Sequence, residues 1–275
     1  MANYTAADIK ALREATGAGM MDVKKALEEA GGDTAKATEI LRVKGLKGVT
    51  KREGRSASNG LVTAHVADGV GTMVEVNCET DFVAKGEKFI ALAQQVLDQA
   101  VATGAASVDD LLASELDGKS VKEMLDEANA TIGEKIEVRH MARIEGPKVA
   151  SYLHKTSPDL PAQIGVLFAF DGDEAVAKDV AMHIAAFSPS VFTREEIPAE
   201  TVENERRIAE ATAKEEGKPE AALPRIVEGR VNGFFAENVL LEQKFAKDQK
   251  KTVKQVLAEA STEGKGFARL RVGQA

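Results

Sequence analysis

Apolar residues recur at helical spacing through the first 45 residues. Ile9, Leu12 and Ala15 share one face of a helix that Thr5 can cap, with Asp8 at the capping-box position. Two further helices are predicted, one beginning at Asp22 and one after Asp33. Their inward faces consist of Val23, Ala26, Leu27 and Ala30, and of Ala37, Ile40 and Leu41. The pattern indicates a small three-helix bundle.

The pattern changes between Lys44 and Gly60, where KGLKGVTKREGRSASNG is rich in glycine, serine and positive charge. Little periodicity remains, which is typical of a linker. We therefore expect residues 1–54 to form a helical bundle followed by a basic linker. The basic run could contact RNA or an acidic protein surface, or its charges could simply keep a linker extended.

Residues 55–146 are predicted to form a unit of strands and helices. The segments LVTAHVADG and TMVEVNC alternate apolar and polar residues around a glycine-containing turn, which favours a hairpin. An amphipathic helix is predicted from about Phe82 to Ala102, with an inward face of Phe89, Leu92, Ala93, Val96, Leu97 and Ala100. The strand KIEVRHMARI follows, and Gly146-Pro147 closes the unit.

Residues 147–275 repeat the order of strand, turn, strand and helix, and reuse the tripeptide VAK at Val83–Lys85 and Val176–Lys178. The repetition suggests two related αβ subdomains. A charged stretch at about 190–236, with a turn at Gly217-Lys218-Pro219, predicts an inserted antiparallel helical hairpin. The helix TVKQVLAEA and the strand GFARLRVG would complete an α+β fold.

Composition narrows the classes of function. Aromatic residues make up 4% of the chain and the net charge is −8, which disfavours nucleic acid as the main partner. Cys78 is the single cysteine, so intrachain disulfides and multi-cysteine zinc sites are excluded. With no signal-like start and no apolar run long enough to cross a bilayer, we expect a cytoplasmic protein without membrane contact.

The sequence shows no arrangement typical of catalysis. The four histidines, His65, His140, His154 and His183, are scattered, and we expect neither a metal site nor a cofactor. The GKS triplet at Gly118–Ser120 has alanine, Ala113, where a phosphate loop needs glycine. Cys78 shares the inward parity of a strand with Val74 and Val76, which predicts a packed thiol rather than a nucleophile.

Two segments carry a family resemblance. TGAGMMDVKKAL at Thr16–Leu27 and EVNCETDFVAK at Glu75–Lys85 are similar to the signature segments of the bacterial elongation factor Ts family. SYLH, AMHIAA and VEGR follow in the family's order, so the resemblance covers the whole chain. It implies exchange of nucleotide on elongation factor Tu, with no direct nucleotide binding by this chain. It also implies a ubiquitin-associated-like N-terminal bundle and two related subdomains with a coiled-coil hairpin.

The resemblance implies a role for the segment Thr80, Asp81, Phe82 and Val83. In the family this segment enters the GTPase domain of the partner, where the aromatic ring acts as a wedge and displaces the bound Mg²⁺. A phenylalanine after a polar turn at a strand end is poorly sheltered by its own fold and suits such a role. The residues alone also allow Phe82 to be first-turn core and Asp81 an ordinary helix cap.

Further positions match family contacts with the GTPase domain and a further domain of the partner. They are Arg13, Met20, Met21 and Lys24 in the N-terminal module, and Ile132, Gly133, His154 and His183 in the core. Adjacent methionines cannot both face inward, so one of the pair is expected in the bundle core. A lone histidine on an apolar helix face, such as His183, can equally be a packed residue.

Several alternatives remain open from the sequence. An adaptor that binds through its N-terminal bundle and an RNA-binding protein that uses the Lys44–Arg55 run are the rival functions. The helical hairpin could pair with a second copy of the chain to form a homodimer. The enterobacterial members carry a further C-terminal helix that grips the partner, and since this sequence ends at Ala275 we expect that contact to be absent.

Overall fold

Helices and antiparallel sheets share the chain, as the predicted α+β class requires. The computed structural model describes residues 3–16 and 18–274, with all of their side chains except those of Leu46, Lys47, Thr50 and Lys51. Within these residues, no helix is both long enough and apolar enough to cross a membrane.

The N-terminal unit consists of α1 (Ala6–Thr16), α2 (Met20–Glu29) and α3 (Thr34–Arg52). The capping box before α1 is confirmed, because the Thr5 amide donates to Asp8 Oδ2 at 2.7 Å and the Asp8 amide donates back to Thr5 Oγ1 at 3.2 Å. The core of the unit contains the predicted residues Leu12, Val23, Ala26, Leu27, Ala37 and Leu41. Ala15 was expected on this face, but it is exposed.

The predicted linker is wrong in its first half, because α3 continues through Lys44 and ends at Arg52. A β-carbon placed on Gly45 would lie 2.7 Å from Cβ of Ala130, a residue far along the chain. The glycine therefore allows close contact between two helices, and does not mark a flexible segment. The guanidinium of Arg52 donates to the Asn129 carbonyl oxygen at 3.1 Å and secures the end of α3.

The next unit is built on a three-stranded antiparallel sheet with strand order β1-β2-β5. Its elements are β1 (Asn59–Ala67), β2 (Val70–Cys78), α4 (Asp81–Ala84), α5 (Glu87–Thr103), α6 (Val108–Ala113), β3 (Glu115–Leu116), β4 (Lys119–Ser120), α7 (Val121–Ile132) and β5 (Glu137–Glu145). The hairpin and the inward face of α5 are as predicted, since all six predicted apolar residues of α5 are buried.

The helix predicted from Phe82 to Ala102 is interrupted. One short turn, α4, ends at Ala84, and α5 begins after Gly86. Phe82 therefore does not belong to the long amphipathic helix and lies on the separate turn α4. This break separates the exposed ring from the buried face of α5.

The last unit repeats the connection order in a second antiparallel sheet, with strand order β10-β7-β6. Its elements are β6 (Lys148–His154), β7 (Ile164–Asp171), α8 (Glu174–Phe187), α9 (Ala199–Glu215), α10 (Leu223–Asn238), β8 (Lys244–Phe245), β9 (Asp248–Thr252), α11 (Val253–Glu259) and β10 (Glu263–Arg271). In both sheets a hairpin is followed by a helix, and a later strand pairs with the second strand of the hairpin. Helices α9 and α10 form the predicted hairpin, which turns at Gly217 with a positive φ of 72°.

The two larger sheets contact each other through a separate apolar cluster centred on Val62, Met73 and Leu167. A β-carbon on Gly165 would lie 2.4 Å from Sδ of Met73, so only glycine lets the strands approach this closely. The side chain of Gln163 also donates to the Gly60 carbonyl oxygen at 2.7 Å. These contacts fix the second sheet against the first.

Candidate interaction site

Phe82 is an aromatic side chain that the fold leaves in solvent. Its side chain lies on α4, a single turn between the end of β2 and Gly86, and 76% of its surface is exposed. No other large hydrophobic residue that the structure describes is more exposed. The neighbours of Phe82 turn the other way, since Ala84 is buried and Val83 packs against the core below α5. The interpretation of Phe82 as first-turn core is therefore excluded by its position.

Contacts between its own residues stabilise the turn that carries Phe82. Thr80 caps α4, and its hydroxyl oxygen accepts from the Val83 amide at 3.4 Å. The Asp81 carboxylate pairs with the Lys85 ammonium at 3.5 Å, one helical turn further on. Asp81 thus has a charged partner at the surface in addition to its place at the start of the helix.

A loop distant in sequence supports the same turn. Gly133 ends α7 in the left-handed conformation with a φ of 84°, and this reverses the chain so that Glu134 faces the start of α4. The Glu134 carboxylate accepts from the Thr80 hydroxyl at 2.6 Å and from the Thr80 amide at 3.0 Å. The predicted positions Ile132 and Gly133 are therefore next to the Thr80–Val83 segment in space.

The N-terminal positions form a second exposed patch. Met20 and Met21 begin α2 with 59% and 64% of their surfaces exposed, so the expectation that one of them fills the bundle core is wrong. Arg13 and Lys24 are exposed as well. A groove of about 710 Å³ is lined by Arg13, Met20 and Lys88, among other residues. Because Lys88 lies in the first turn of α5, this groove places the N-terminal patch on the side of the molecule where α5 begins.

The chain has known relatives along almost its whole length. A family model described as "Elongation factor TS" matches residues 79–274. The chain is 65% identical to Elongation factor Ts of Micrococcus luteus over 277 residues, which cover 99% of this chain and 100% of that protein. Elongation factor Ts of Arthrobacter sp. gives the same identity and coverage, and that of Kineococcus radiotolerans is 63% identical over 274 residues.

The chain belongs to the elongation factor Ts family. It is thus a translation elongation factor of the nucleotide-exchange class, and exchange of a bound nucleotide makes or breaks no covalent bond. The match to the family model begins at Glu79 and includes the whole Thr80–Val83 segment. The relatives also cover the N-terminal bundle, which precedes that match.

The two histidines that the sequence resemblance predicts to be contacts differ in their surroundings. His154 is exposed at the end of β6, and its Nδ1 lies 3.1 Å from the Tyr152 hydroxyl. His183 is fully buried in α8 and stacks on Phe187 with ring centroids 4.7 Å apart. The expectation of a direct contact at His183 disagrees with this burial, whereas the packed alternative agrees with it.

The hydrogen bonds of His183 define its protonation. The Ala246 amide donates to Nδ1 at 3.1 Å, so Nδ1 is an acceptor and Nε2 carries the proton. Nε2 then donates to Gln243 Oε1 at 2.8 Å. Burial lowers the pKa of His183 below its usual value, although the bond to Gln243 opposes this change. The ring is a neutral bridge between α8 and the chain before β9.

The remaining candidates for chemistry have structural roles in the family fold. Burial, with the nearby Glu134 carboxylate as a second cause, raises the pKa of the Cys78 thiol to about 12. Of the GKS triplet, Lys119 pairs with Glu127 at 2.8 Å and Ser120 caps α7. Within residues 3–16 and 18–274, there is no cluster of three or more histidine, cysteine or acidic side chains that could hold a metal ion.

Sequence reasoning missed one residue of the site, Glu134. It falls within the TIGEKI turn but lies 54 positions from Thr80, and a single glutamate in a polar turn gives no periodic or motif signal. The signal that could have located it is the pairing of β2 with β5. Because these strands pair from Asn77 with Glu137, the loop before β5 must lie beside the loop after β2.

Proposed function

We propose that this chain releases GDP from elongation factor Tu by inserting Phe82 into the GTPase domain of that protein and displacing its Mg²⁺. The observation that carries the proposal is the 76% exposure of a phenylalanine ring on a turn that is capped by Thr80 and anchored through Thr80 to Glu134. The family shared with the bacterial elongation factors Ts supports the choice of partner. Loss of Mg²⁺ removes the main counter-charge of the nucleotide phosphates.

The free energy available from Phe82 is sufficient for a main anchor of an interface. Burying a phenylalanine side chain stabilises a complex by about 2 kcal/mol through removal of apolar surface from water. Aromatic anchors that are exposed in the free protein and enclosed in the complex are typical of the residues that dominate binding. Since α4 already holds its shape in the free chain, little order is lost when the ring enters its partner.

The other exposed positions enlarge the contact. Met20 and Met21 present adaptable apolar surface beside the cations of Arg13 and Lys24, which suits a second area on the GTPase domain. Gly133 is exposed and Ile132 is partly buried against the core. Both directly precede Glu134, which bonds to Thr80, and we assign them to the same contact. His154 is exposed on β6 and is assigned to a further domain of the partner.

The proposed action is a thermodynamic coupling. If this chain binds the nucleotide-free GTPase most tightly, the nucleotide and the factor must weaken each other by the same factor. A coupling of about 4 kcal/mol corresponds to a nucleotide affinity reduced about a thousandfold. No chemical step by this chain is required.

The rival assignment to RNA is disfavoured by the contacts of the basic run. Arg52 donates to the Asn129 carbonyl oxygen, and Arg55 pairs with Glu79 at 3.2 Å. These two cations have partners within the chain.

The double variant Met20→Ser, Met21→Ser distinguishes an exchange factor from the adaptor alternative. An adaptor loses all binding to elongation factor Tu, whereas an exchange factor keeps a weakened contact through its core.

The test is the rate at which fluorescent GDP leaves purified elongation factor Tu, with and without this protein. We expect strong acceleration in buffer that contains Mg²⁺. In buffer with excess EDTA the metal is already gone, so the factor should accelerate release much less. An equal acceleration in both buffers would contradict displacement of Mg²⁺, and no acceleration in either would contradict the proposed function as a whole.

A further inference from the structure

We propose that Glu134 is a positioning residue that holds the Phe82 turn in the orientation needed for insertion into the partner. The inference rests on the proposed function and goes beyond it, because it assigns a role to a side chain outside the contact positions already named. Glu134 is partly buried and acts through Thr80, without itself carrying the wedge.

The Glu134 carboxylate makes three hydrogen bonds to two consecutive residues. Its Oε2 accepts from the amides of Glu79 at 3.1 Å and Thr80 at 3.0 Å, and its Oε1 accepts from the Thr80 hydroxyl at 2.6 Å. These two amides come directly after β2, at the point where the chain leaves the sheet. The carboxylate thus replaces the strand partner that the chain loses there.

The Glu79 carboxylate accepts in return from the loop that carries Glu134. Glu79 Oε1 accepts from the Lys135 amide at 2.6 Å, while its own carbonyl oxygen accepts from the Asn59 side chain at 2.8 Å. Burial raises the pKa of Glu79, but the Lys135 amide and the Arg55 guanidinium outweigh it and hold the pKa below its usual value. Glu79 and Glu134 therefore join the two loops reciprocally.

The loop that carries Glu134 is itself fixed. The buried side chain of Asn129 donates to the Ile136 carbonyl oxygen at 3.0 Å and accepts from the Ile136 amide at 2.6 Å. These two bonds close the turn from the end of α7 to the start of β5. Glu134 is thus attached to a rigid support, and it can transmit that rigidity to Thr80.

Thr80 connects this support to the wedge. Its hydroxyl donates to Glu134 and accepts from the Val83 amide in the first turn of α4. Without Glu134 the hydroxyl is free to rotate, and the two amides after β2 lose their acceptor. The turn would then sample orientations in which Phe82 is misplaced, and the order lost would have to be regained on binding.

The test compares Glu134→Ala and Glu134→Gln with wild type, with Glu145→Gln as a control at an exposed glutamate near the end of β5. Release of fluorescent GDP is measured as a function of factor concentration. We expect Glu134→Ala to reduce exchange about tenfold, as loss of hydrogen bonds to a pre-organised site predicts. Glu134→Gln should retain most activity, because its amide oxygen can accept from both backbone amides and its NH₂ can donate to Thr80.

The decisive comparison is made in the Phe82→Ala background. If Glu134 acts through the wedge, Glu134→Ala should cause little additional loss once the ring is gone. If the reductions in the rate of GDP release caused by the two substitutions multiplied in the double variant, the inference would be overturned. GDP release at the wild-type rate by Glu134→Ala alone would also overturn it. A Glu134→Gln variant as slow as Glu134→Ala would also overturn it, since it would indicate that the charge itself contacts the partner.

A measurement without the partner keeps the inference separate from the proposed function. Hydrogen exchange at the amides of Glu79 and Thr80 should be faster in Glu134→Ala, while the amides of α5 keep their protection. Unchanged hydrogen exchange at those two amides would contradict the positioning role, even if the variant released GDP more slowly. If the wild-type protein failed to release GDP, the proposed function would be contradicted. The hydrogen-exchange result would still test whether Glu134 holds the turn.

Discussion

The ammonium group of Lys85 lies 4.6 Å from the centroid of the Phe82 ring and pairs at the same time with the carboxylate of Asp81. One cation therefore covers a face of the exposed ring and is itself held by the first residue of α4. A cation over an aromatic face favours one orientation of that ring in solvent. The free protein thus presents Phe82 in a restricted set of orientations.

The first prediction concerns Lys85. Replacing it with methionine keeps an apolar stem but removes the charge, so the ring loses an interaction of about 0.5–1 kcal/mol for an exposed pair. We expect GDP exchange to fall about two- to fivefold. Lys254→Met, at an exposed lysine in the first turn of α11, serves as the control and should exchange like wild type. Equal behaviour of the two variants would show that the cation does not orient the ring.

The second prediction concerns the contact between the two sheets. Gly165→Ala forces a β-carbon to 2.4 Å from Met73 Sδ and 2.5 Å from Val62 Cγ1, so the free energy of unfolding should decrease by about 1–3 kcal/mol. Gly229→Ala in α10 meets no atom within 4 Å and should raise it by up to about 1 kcal/mol. Denaturant unfolding of both variants measures the difference. The same sign of change for both would refute the steric explanation.

The third prediction concerns the reactivity of Cys78. A thiol with a pKa of about 12 is about one part in ten thousand thiolate at about pH 8, and this one is also buried. We expect the folded protein to resist labelling by a disulfide reagent such as DTNB, and the denatured protein to react completely. Rapid labelling of the folded protein would place the thiol at the surface, against the packing of β2.

The fourth prediction concerns acid and His183. Because burial lowers the pKa of His183 in the folded state, the unfolded chain binds more protons as the pH falls below about 6.5. The stability associated with the neutral ring is present above that pH and is lost as the pH falls through the folded pKa. Denaturant unfolding between about pH 7.5 and about pH 5.5 should show a steeper loss for wild type than for His183→Gln. Parallel curves would exclude His183 as the source.

Local patterns predicted much of the fold. The apolar face of α5 was correct because helical periodicity directly reports which residues are buried, and the hairpin of β1 and β2 was correct because alternation and a glycine turn act within a few residues. The extent of α3 was not predicted. From its sequence neighbours alone, Gly45 indicates a flexible segment. Its actual role is to allow close packing against Ala130, which is distant in the sequence.

The residues of the candidate site were also predicted only in part. The resemblance located Thr80–Val83, but the residues alone could not decide whether Phe82 was core or exposed, since a long amphipathic helix was predicted to begin at about Phe82. The break at Gly86 decides this point. Glu134 was missed because its hydrogen bonds join loops that are 54 positions apart, and no local pattern reports such a contact.

The central claim is that the exposed ring of Phe82 drives nucleotide release, and it is tested most directly by Phe82→Ala. The control is Ile208→Ala, which removes an exposed apolar side chain from α9. With equal amounts of folded protein, release of fluorescent GDP from elongation factor Tu in Mg²⁺ should slow by about tenfold or more with Phe82→Ala, as expected for an anchor residue. The control should match wild type. Release by Phe82→Ala at the wild-type rate would contradict the account.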